Sequence, residues 1–296
     1  MKRKIISILT AVLTAISLTA CSVPLPDSVS AGQEDIKKTT KDVSSYRAVL
    51  STASVDDGNL IFVESADYIG NENYQFTTER IVFNDDINKY DIQYPQIEFD
   101  DNHPADRINE ILKDCASYEM NLMYPNFKYN SSLDKGRRES VVEYEVSYCD
   151  DNIFSVLFYD HYFVGSTVSE YYDVRAITID LQNECAYATN DVLIIDDELA
   201  GIVYDFIVKT ADNLANLPKF TPDVVKEAML AGKTRDSRYT AQLYVEGNKC
   251  VGIAFSYHYN DGNVITRGDV EIALDDSYIT DKMVDSSLWT YLGKTE

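Results

Sequence analysis

The sequence has little of what catalysis at a histidine, a metal ion or a phosphate-binding loop requires. Its three histidines, His103, His161 and His258, lie far apart, and none has the His-x-x-x-His or His-Glu-x-x-His spacing of a metal site. There is no Gly-x-Ser-x-Gly nucleophile elbow, and the 12 glycines form no phosphate-binding loop. The sequence therefore predicts no catalytic residues, and we expect a protein that is not an enzyme.

Basic residues are also scarce, with 26 Lys and Arg against 49 Asp and Glu and a net charge of −23. Residues 1–20 hold three of the basic residues and no acidic one, so the remainder carries −26. Such a chain repels phosphate backbones, which excludes nucleic acid as a partner. Its charge favours cations, basic proteins or neutral glycans, although an acidic surface also serves solubility alone.

Cysteine is present at only five positions, and four of them lie beyond the N-terminal segment. Cys115, Cys149, Cys185 and Cys250 are widely spaced, match no zinc pattern and allow three disulfide pairings. Cys149 and Cys250 fall at the ends of predicted strands, which makes them the candidate disulfide. The other interpretation is that these side chains are small buried hydrophobes.

The N-terminal segment has the order of an export signal. Lys2, Arg3 and Lys4 precede an uncharged, mostly apolar run over 5–17 that is shorter than the roughly 20 residues of a membrane-spanning helix. The run ends in Leu18-Thr19-Ala20-Cys21, which resembles the lipobox of bacterial lipoproteins. We therefore predict a signal peptide over 1–20, lipid attachment at Cys21 and a flexible tether over 21–45. This places the chain on the extracellular face of the cell membrane.

Hydrophobic periodicity predicts an α+β fold, with antiparallel sheets packed by helices in two closely associated halves, 46–168 and 169–296. A helix is predicted over Pro104–Tyr124, and long strands over Ser140–Cys149 and Asn152–Val164. Further elements include a strand over Ser169–Asp180, a helix near 196–214, a hairpin over 240–257, a strand over 264–274 and a closing helix over 281–292.

Short motifs along the chain fit a known arrangement. Tyr94-Pro95-Gln96-Ile97 comes before a helix with Ile108-Asn109, Asp180-Leu181 follows a strand, and Asp191-Val192-Leu193 precedes another helix. With Val251–Phe255 leading to the last strand, the region of roughly 55–292 resembles the extracellular domain of RsiV-type anti-sigma factors and the N-terminal domain of the deacetylase PdaC. The resemblance implies a two-part α+β module outside the cell. In RsiV-type proteins this module binds lysozyme, which is a strongly basic protein.

The chain departs from the family pattern at its turns. Val164-Gly165-Ser166-Thr167 lacks the family's His, and Asp180–Glu184 and Tyr257–Gly262 also differ from the usual sequences. A partner would bind at such turns. The candidate ligand-binding residues are therefore Gly165, Ser166, Tyr257 and Tyr259. Ordinary strand tyrosines at a hairpin end are the other interpretation of the last two. Neither an anti-sigma segment nor a deacetylase domain is visible, so we expect neither activity.

Three functions remain open. The first is a membrane-anchored binding or sensing module for a basic, lysozyme-like protein or a cell-wall component such as peptidoglycan. The second is a cell-wall hydrolase or esterase that uses acidic residues, for example Asp160 with Glu170. The third is a scaffold lipoprotein of an envelope complex. No cofactor is expected; calcium is the one ion left open, since oxygen-rich turns such as Asp56–Asn59 and Asp150–Asn152 lack the EF-hand spacing.

Overall fold

The folded part of the chain contains two β-sheets. The structure is a computed structural model, and it describes residues 46–47, 61–70, 74–85, 87–99, 104–121, 137–165, 171–211, 213–214, 217–235, 238–260 and 265–294. Cys21, the predicted signal peptide and tether, and Ser166 lie outside these residues. All the described residues belong to one unit.

The larger sheet takes its strands from the first two thirds of the chain. They are β1 (Tyr46–Arg47), β2 (Ile61–Gly70), β3 (Tyr74–Asn84), β4 (Asn88–Phe99), β5 (Arg137–Cys149), β6 (Ile153–Gly165), β7 (Tyr171–Asp180) and β8 (Cys185–Ala186). Over the described residues the order is β2-β3-β4-β5-β6-β7-β8, with β1 paired to β5. Neighbours are antiparallel except β4 and β5, which run parallel from Asn88 to Ile92 because a helix crosses over between them.

The smaller sheet is antiparallel, in the order β11-β10-β9, and consists of β9 (Tyr239–Val245), β10 (Val251–Asn260) and β11 (Ile265–Leu274). The described helices are α1 (Asp106–Ala116), α2 (Thr189–Val192), α3 (Asp197–Thr210), α4 (Pro222–Ala231), α5 (Asp276–Ile279) and α6 (Ser287–Leu292), with a 3-10 turn at Thr280–Lys282. The predicted α+β class is therefore confirmed. None of the helices in the described ranges has the length and apolarity needed to span a bilayer.

Each sheet has its own helical cover. Ile108, Leu112 and Ala116 recur at every fourth position of α1, so they form one face of the helix, and this face is buried in a cluster with Val142 and Phe158 of the larger sheet. A second cluster joins the smaller sheet to α3, α4 and α6 around Trp289. The helices thus shield one face of each sheet from water.

The two sheets meet along β7. The backbone N–H groups of Val174 and Ala176 donate to Ser256 Oγ at 2.7 Å and Gln242 Oε1 at 2.8 Å, so side chains of the smaller sheet satisfy the edge of this strand. Val245 N–H donates in return to Ser155 Oγ at 2.9 Å. β7 follows the predicted boundary at 168. It is nevertheless a strand of the larger sheet, and the smaller sheet packs against it.

Two predicted helices differ in extent. α1 ends at Ala116, and a further helical turn follows at 118–121. The closing helix predicted over 281–292 is wrong in its first part, because Met283 forms a β-bridge with Leu193. Val284 N–H donates to Val192 O at 3.0 Å, and this pairing holds the backbone extended before α6 begins.

Candidate functional site: an acidic cluster at two hairpin ends

The ends of the β6–β7 and β10–β11 hairpins lie together. Tyr162 and Tyr171 are directly paired across β6 and β7, with their rings stacked at 4.8 Å. The ring of His258, on β10, lies 6.0 Å from Tyr162 and 5.3 Å from Tyr171. Arg267 of β11 is paired with His258, and its Cζ lies 3.8 Å from the centre of the Tyr171 ring. The fold therefore brings together two segments that are about 90 residues apart in sequence.

A cluster of charged side chains lies beside these rings. It consists of Glu119 after α1, Asp160 on β6, Asp173 and Arg175 on β7, and His258 on β10, and we call it the acidic cluster. Asp160 is 0%, Arg175 4% and Asp173 8% exposed, whereas Glu119 and His258 are half-buried. Three carboxylates thus share a largely dry site with one guanidinium and one imidazole.

Asp160 and Arg175 form the buried centre of the cluster. Arg175 Nη2 donates to Asp160 Oδ2 at 2.9 Å, and Ser140 Oγ donates to Asp160 Oδ1, also at 2.9 Å. Burial raises the pKa of Asp160, and both partners oppose the rise. A buried ion pair of this kind is stable only when hydrogen bonds satisfy both groups. Both carboxylate oxygens of Asp160 therefore accept hydrogen bonds from within the protein.

Arg175 also binds the C-terminal end of α1. Its Nε donates to the carbonyl of Cys115 at 3.0 Å and its Nη2 to that of Ala116 at 3.2 Å. The last carbonyls of a helix have no partner within the helix, and a cation there also interacts favourably with the helix dipole. The remaining nitrogen, Nη1, is buried without a hydrogen-bond partner among the described residues. One guanidinium thus joins β6, β7 and α1.

The outer carboxylates are less well satisfied. Asp173 Oδ1 lies 3.5 Å from His258 Nε2, and Tyr162 Oη lies 3.4 Å from His258 Nδ1, both at the long limit for hydrogen bonding. Within the described ranges neither Asp173 nor Glu119 accepts a hydrogen bond. These two carboxylates therefore retain the capacity to bind a donor.

The neighbouring carboxylates affect the ionisation of Glu119. Burial raises the pKa of Glu119 to about 7, the charges of Asp160 and Asp173 add to the rise, and Arg175 and His258 oppose it. A carboxylate is normally fully ionised at neutral pH. The negative charges of the cluster and its burial therefore oppose the ionisation of Glu119.

The structure also shows where the residues considered for metal binding and catalysis lie. In the described part of the chain, no three His, Cys, Asp or Glu side chains are grouped to hold a metal ion. Asp160, which the sequence paired with Glu170 for hydrolysis, instead binds Arg175 and Ser140, and Glu170 lies outside the described residues. A surface depression of ≈ 710 Å³ lies elsewhere, beside α4, and includes Asp223, Lys226 and Leu230 but no member of the acidic cluster.

Three of the predicted ligand-binding residues are described, and none of them belongs to the acidic cluster. Tyr257 and Tyr259 are 4% and 1% exposed and pack in the core of the smaller sheet, so their rings offer no contact surface. Side chains alternate along a strand, and His258 between them therefore points to the cluster. Gly165 is the last residue of β6, paired with Arg137.

The four described cysteines are free thiols, and the candidate disulfide between Cys149 and Cys250 is not formed. Burial raises the pKa of Cys149 to about 11, and that of Cys115 also to about 11. A thiol with such a pKa is protonated and weakly nucleophilic near neutral pH. These side chains therefore fit the alternative interpretation, as small hydrophobes.

Sequence patterns alone left Glu119, Asp173 and Arg175 unidentified. One local signal was available: Asp160, Asp173 and Arg175 each interrupt strands that are otherwise rich in apolar residues. A charge in such a strand is either at the surface or paired in the interior. Nothing in the sequence indicated that Glu119 would reach them.

Comparison with known proteins identifies no family. No family model matches the chain, and no curated protein matches it. A solved structure of a DUF3298 family protein from Pseudomonas aeruginosa PAO1 is 12% identical, with a TM-score of 0.40, covering 79% of this chain and 97% of that one. A DUF3298 family member from Bacteroides fragilis NCTC 9343 is 14% identical, with a TM-score of 0.39, covering 80% and 99%. At these scores the likeness carries no functional argument.

Proposed function

We propose that this chain is a binding module on the outer face of the cell membrane, anchored through lipid at Cys21, and that it captures a basic secreted protein of the lysozyme kind. The observation that carries the proposal is the acidic cluster, in which Glu119 and Asp173 accept no hydrogen bond from a described residue. Lysine and arginine side chains supply the donors and the charge that these carboxylates lack.

The charge of the whole chain supports the same partner. After residues 1–20 the net charge is −26, which steers a cationic protein toward the surface and accelerates its association. Salt screens such attraction beyond about 8 Å at physiological ionic strength. Capture should therefore weaken as salt is raised.

An exposed tyrosine flanks the cluster and suits a protein contact. Tyr118 is 36% exposed, and its ring centre lies 5.8 Å from Arg175 Cζ. Tyrosine is enriched at the energetically dominant positions of interfaces because its ring is rigid and its hydroxyl is polar. We assign this ring as the apolar part of the contact.

Calorimetry with the mature chain carrying Cys21→Ser and hen lysozyme tests the proposal. We expect saturable binding that weakens with salt and is lost with lysozyme whose lysines are acetylated. Tyr118→Ala should weaken binding about tenfold or more. Tyr278→Ala is the matched control, since Tyr278 is similarly exposed, at 38%, but lies on α5. Absence of binding, or an equal loss with Tyr278→Ala, would refute the assignment.

One observation favours the alternative of a cell-wall hydrolase. Burial and neighbouring carboxylates raise the pKa of Glu119 to about 7, and a carboxyl group with such a pKa suits the general acid of a hydrolysis reaction. Release of soluble fragments from peptidoglycan, abolished by Glu119→Gln, would support this alternative over capture.

A further inference from the structure

One hydroxyl group of the smaller sheet binds the backbone of β7 at two points. Ser256 Oγ, on β10, accepts a hydrogen bond from the N–H of Val174 at 2.7 Å and donates one to the carbonyl of Val174 at 3.0 Å. Ser256 is 1% exposed and Val174 is 0% exposed. A serine hydroxyl has one proton to donate, so Ser256 uses its donor and an acceptor position on a single residue. It replaces the pair of bonds that a neighbouring strand would make there.

Two further hydrogen bonds between the sheets lie further from the hairpin ends. Gln242 Oε1, on β9, accepts the N–H of Ala176 at 2.8 Å, and Thr178 Oγ1 donates to the carbonyl of Leu243 at 3.2 Å. Both β9 residues are paired with the part of β10 that precedes Ser256. These bonds therefore hold the sheets together at a distance from the acidic cluster.

The bonds of Ser256 lie next to the acidic cluster. Ser256 and His258 are two residues apart on β10, so their side chains point to the same side of the strand. Asp173 precedes Val174 on β7, and its Oδ1 lies 3.5 Å from His258 Nε2; the His258 ring also lies 5.3 Å from the Tyr171 ring. A displacement of β10 by one residue along β7, roughly 3.3 Å, would therefore move the His258 ring away from both groups.

Apolar packing between the sheets does not by itself fix that position. The cluster that joins them contains Leu157, Val174 and Ala176 of the larger sheet and Tyr244 and Ala254 of the smaller one. The hydrophobic effect is non-directional, whereas a hydrogen bond weakens steeply when its geometry departs from the optimum. A displaced β10 would also leave both backbone groups of Val174 buried without this partner, which is costly.

We propose that Ser256 is a positioning residue of the acidic cluster: its hydroxyl group places β10 on β7 so that His258 lies beside Asp173 and Tyr171. Ser256 itself is too deeply buried to contact a ligand, so it acts only through His258. The proposal concerns the assembly of the site, and it does not depend on the identity of the ligand.

NMR spectroscopy of the mature chain carrying Cys21→Ser tests the proposal with two variants of equal shape. Ser256→Thr keeps the hydroxyl group, and Ser256→Val has a methyl group in its place. We expect nuclear Overhauser cross-peaks between the rings of His258 and Tyr171 when residue 256 is serine or threonine. In Ser256→Val these cross-peaks should weaken several-fold or disappear. Equal intensities in the threonine and valine variants overturn the proposal.

Thr178→Val is the matched control, because it removes another fully buried hydroxyl group that bonds across the sheets. It should leave the cross-peaks between His258 and Tyr171 unchanged. An equal loss in Thr178→Val would show that any bond between the sheets has this effect, and it would overturn the assignment to Ser256.

Hydrogen exchange in the chain that retains Ser256 guards against a variant that fails to fold. The amide proton of Val174 should exchange as slowly as those of the ladder between β6 and β7. Rapid exchange would show that Ser256 does not bind this group, and it overturns the proposal whatever the variants do. If lysozyme does not bind while the cross-peaks change as expected, the function proposed above is rejected and the positioning role of Ser256 is supported.

Discussion

The side-chain amide of Asn109 binds both backbone groups of Ile97. Ile97 N–H donates to Asn109 Oδ1 at 2.7 Å, and Asn109 Nδ2 donates to the carbonyl of Ile97 at 2.9 Å. The pairing of β4 with β5 ends at Ile92, so the amide takes the place that a neighbouring strand would occupy. One residue of α1 thus fixes the helix to the larger sheet, and it belongs to the motif that carries the family resemblance.

Replacing Asn109 should therefore destabilise the fold. Asn109→Ala leaves two backbone groups without their partner, and we expect a loss of about 2 kcal/mol in the free energy of unfolding. Urea denaturation measures the change. Asn121→Ala, at an exposed position after α1, should change stability by less than about 0.5 kcal/mol. Equal effects from the two variants would mean that the Asn109 bonds contribute nothing specific.

The ion pair at the centre of the acidic cluster should show strong coupling. Arg175→Met leaves Asp160 buried and uncompensated and removes two helix-capping bonds, so we expect a loss of about 3–5 kcal/mol in unfolding free energy. The double variant Asp160→Leu/Arg175→Met should recover part of that loss, because no buried charge remains. Denaturation of the two single variants and the double variant completes the cycle. Strictly additive losses would show that the two charges act independently.

Asp180 should contribute stability that depends on pH. Burial alone would raise its pKa, but hydrogen bonds from Tyr187, Asn183 and Ser287 outweigh burial and hold the pKa below its usual range. A lowered pKa in the folded state gives stability that is complete above the ordinary carboxyl pKa of about 4 and is lost as the pH falls through the folded value. Asp180→Asn should therefore cost about 2 kcal/mol at pH 7 and less than that at pH 3.

The measurement for Asp180 is urea denaturation at both pH values. Asp205→Asn serves as the control, since Asp205 is exposed on α3. A cost for Asp180→Asn that is the same at pH 3 and pH 7 would be inconsistent with a carboxylate stabilised by these three donors.

The predicted lipid anchor can be tested by replacing Cys21. Cys21→Ser removes the thiol that would carry the lipid, so the protein should move from the membrane fraction to the culture medium or remain as an unprocessed precursor. Acyl chains contribute about 0.8 kcal/mol per buried CH₂, which makes the effect close to complete. Labelling with radioactive palmitate should mark the native chain and leave the variant unmarked. Palmitate incorporation into Cys21→Ser would place the modification elsewhere.

Local patterns predicted much of the fold. Strict alternation in the segment that forms β5 and the turn at Asp150-Asp151-Asn152 gave the β5–β6 hairpin, since a half-buried strand and a tight turn have local signatures. The parallel pairing of β4 with β5 has no such signature, because it depends on where α1 returns the chain. The predicted closing helix was interrupted for the same kind of reason, by the bridge from Met283 to Leu193.

The acidic cluster could not be assembled from the sequence. Glu119, Asp173 and His258 belong to three elements, and their meeting depends on the way the smaller sheet docks against the edge of β7. With 49 acidic residues in the chain, no single carboxylate stands out by composition. The departures from the family pattern at the turns directed attention to Tyr257 and Tyr259, although His258 between them faces the site.

The register of the two converging hairpins is set by their strands and not by the residues that connect them. The strands that flank residues 166–170 and 261–264 have their register fixed by long ladders, from Ile153 to Tyr162 in one hairpin and from Val251 to Asn260 in the other. Insertions or substitutions in these connecting residues would leave both ladders intact. A library randomised at these two connections would therefore vary the residues between the strands while the acidic cluster keeps the ladders that support it.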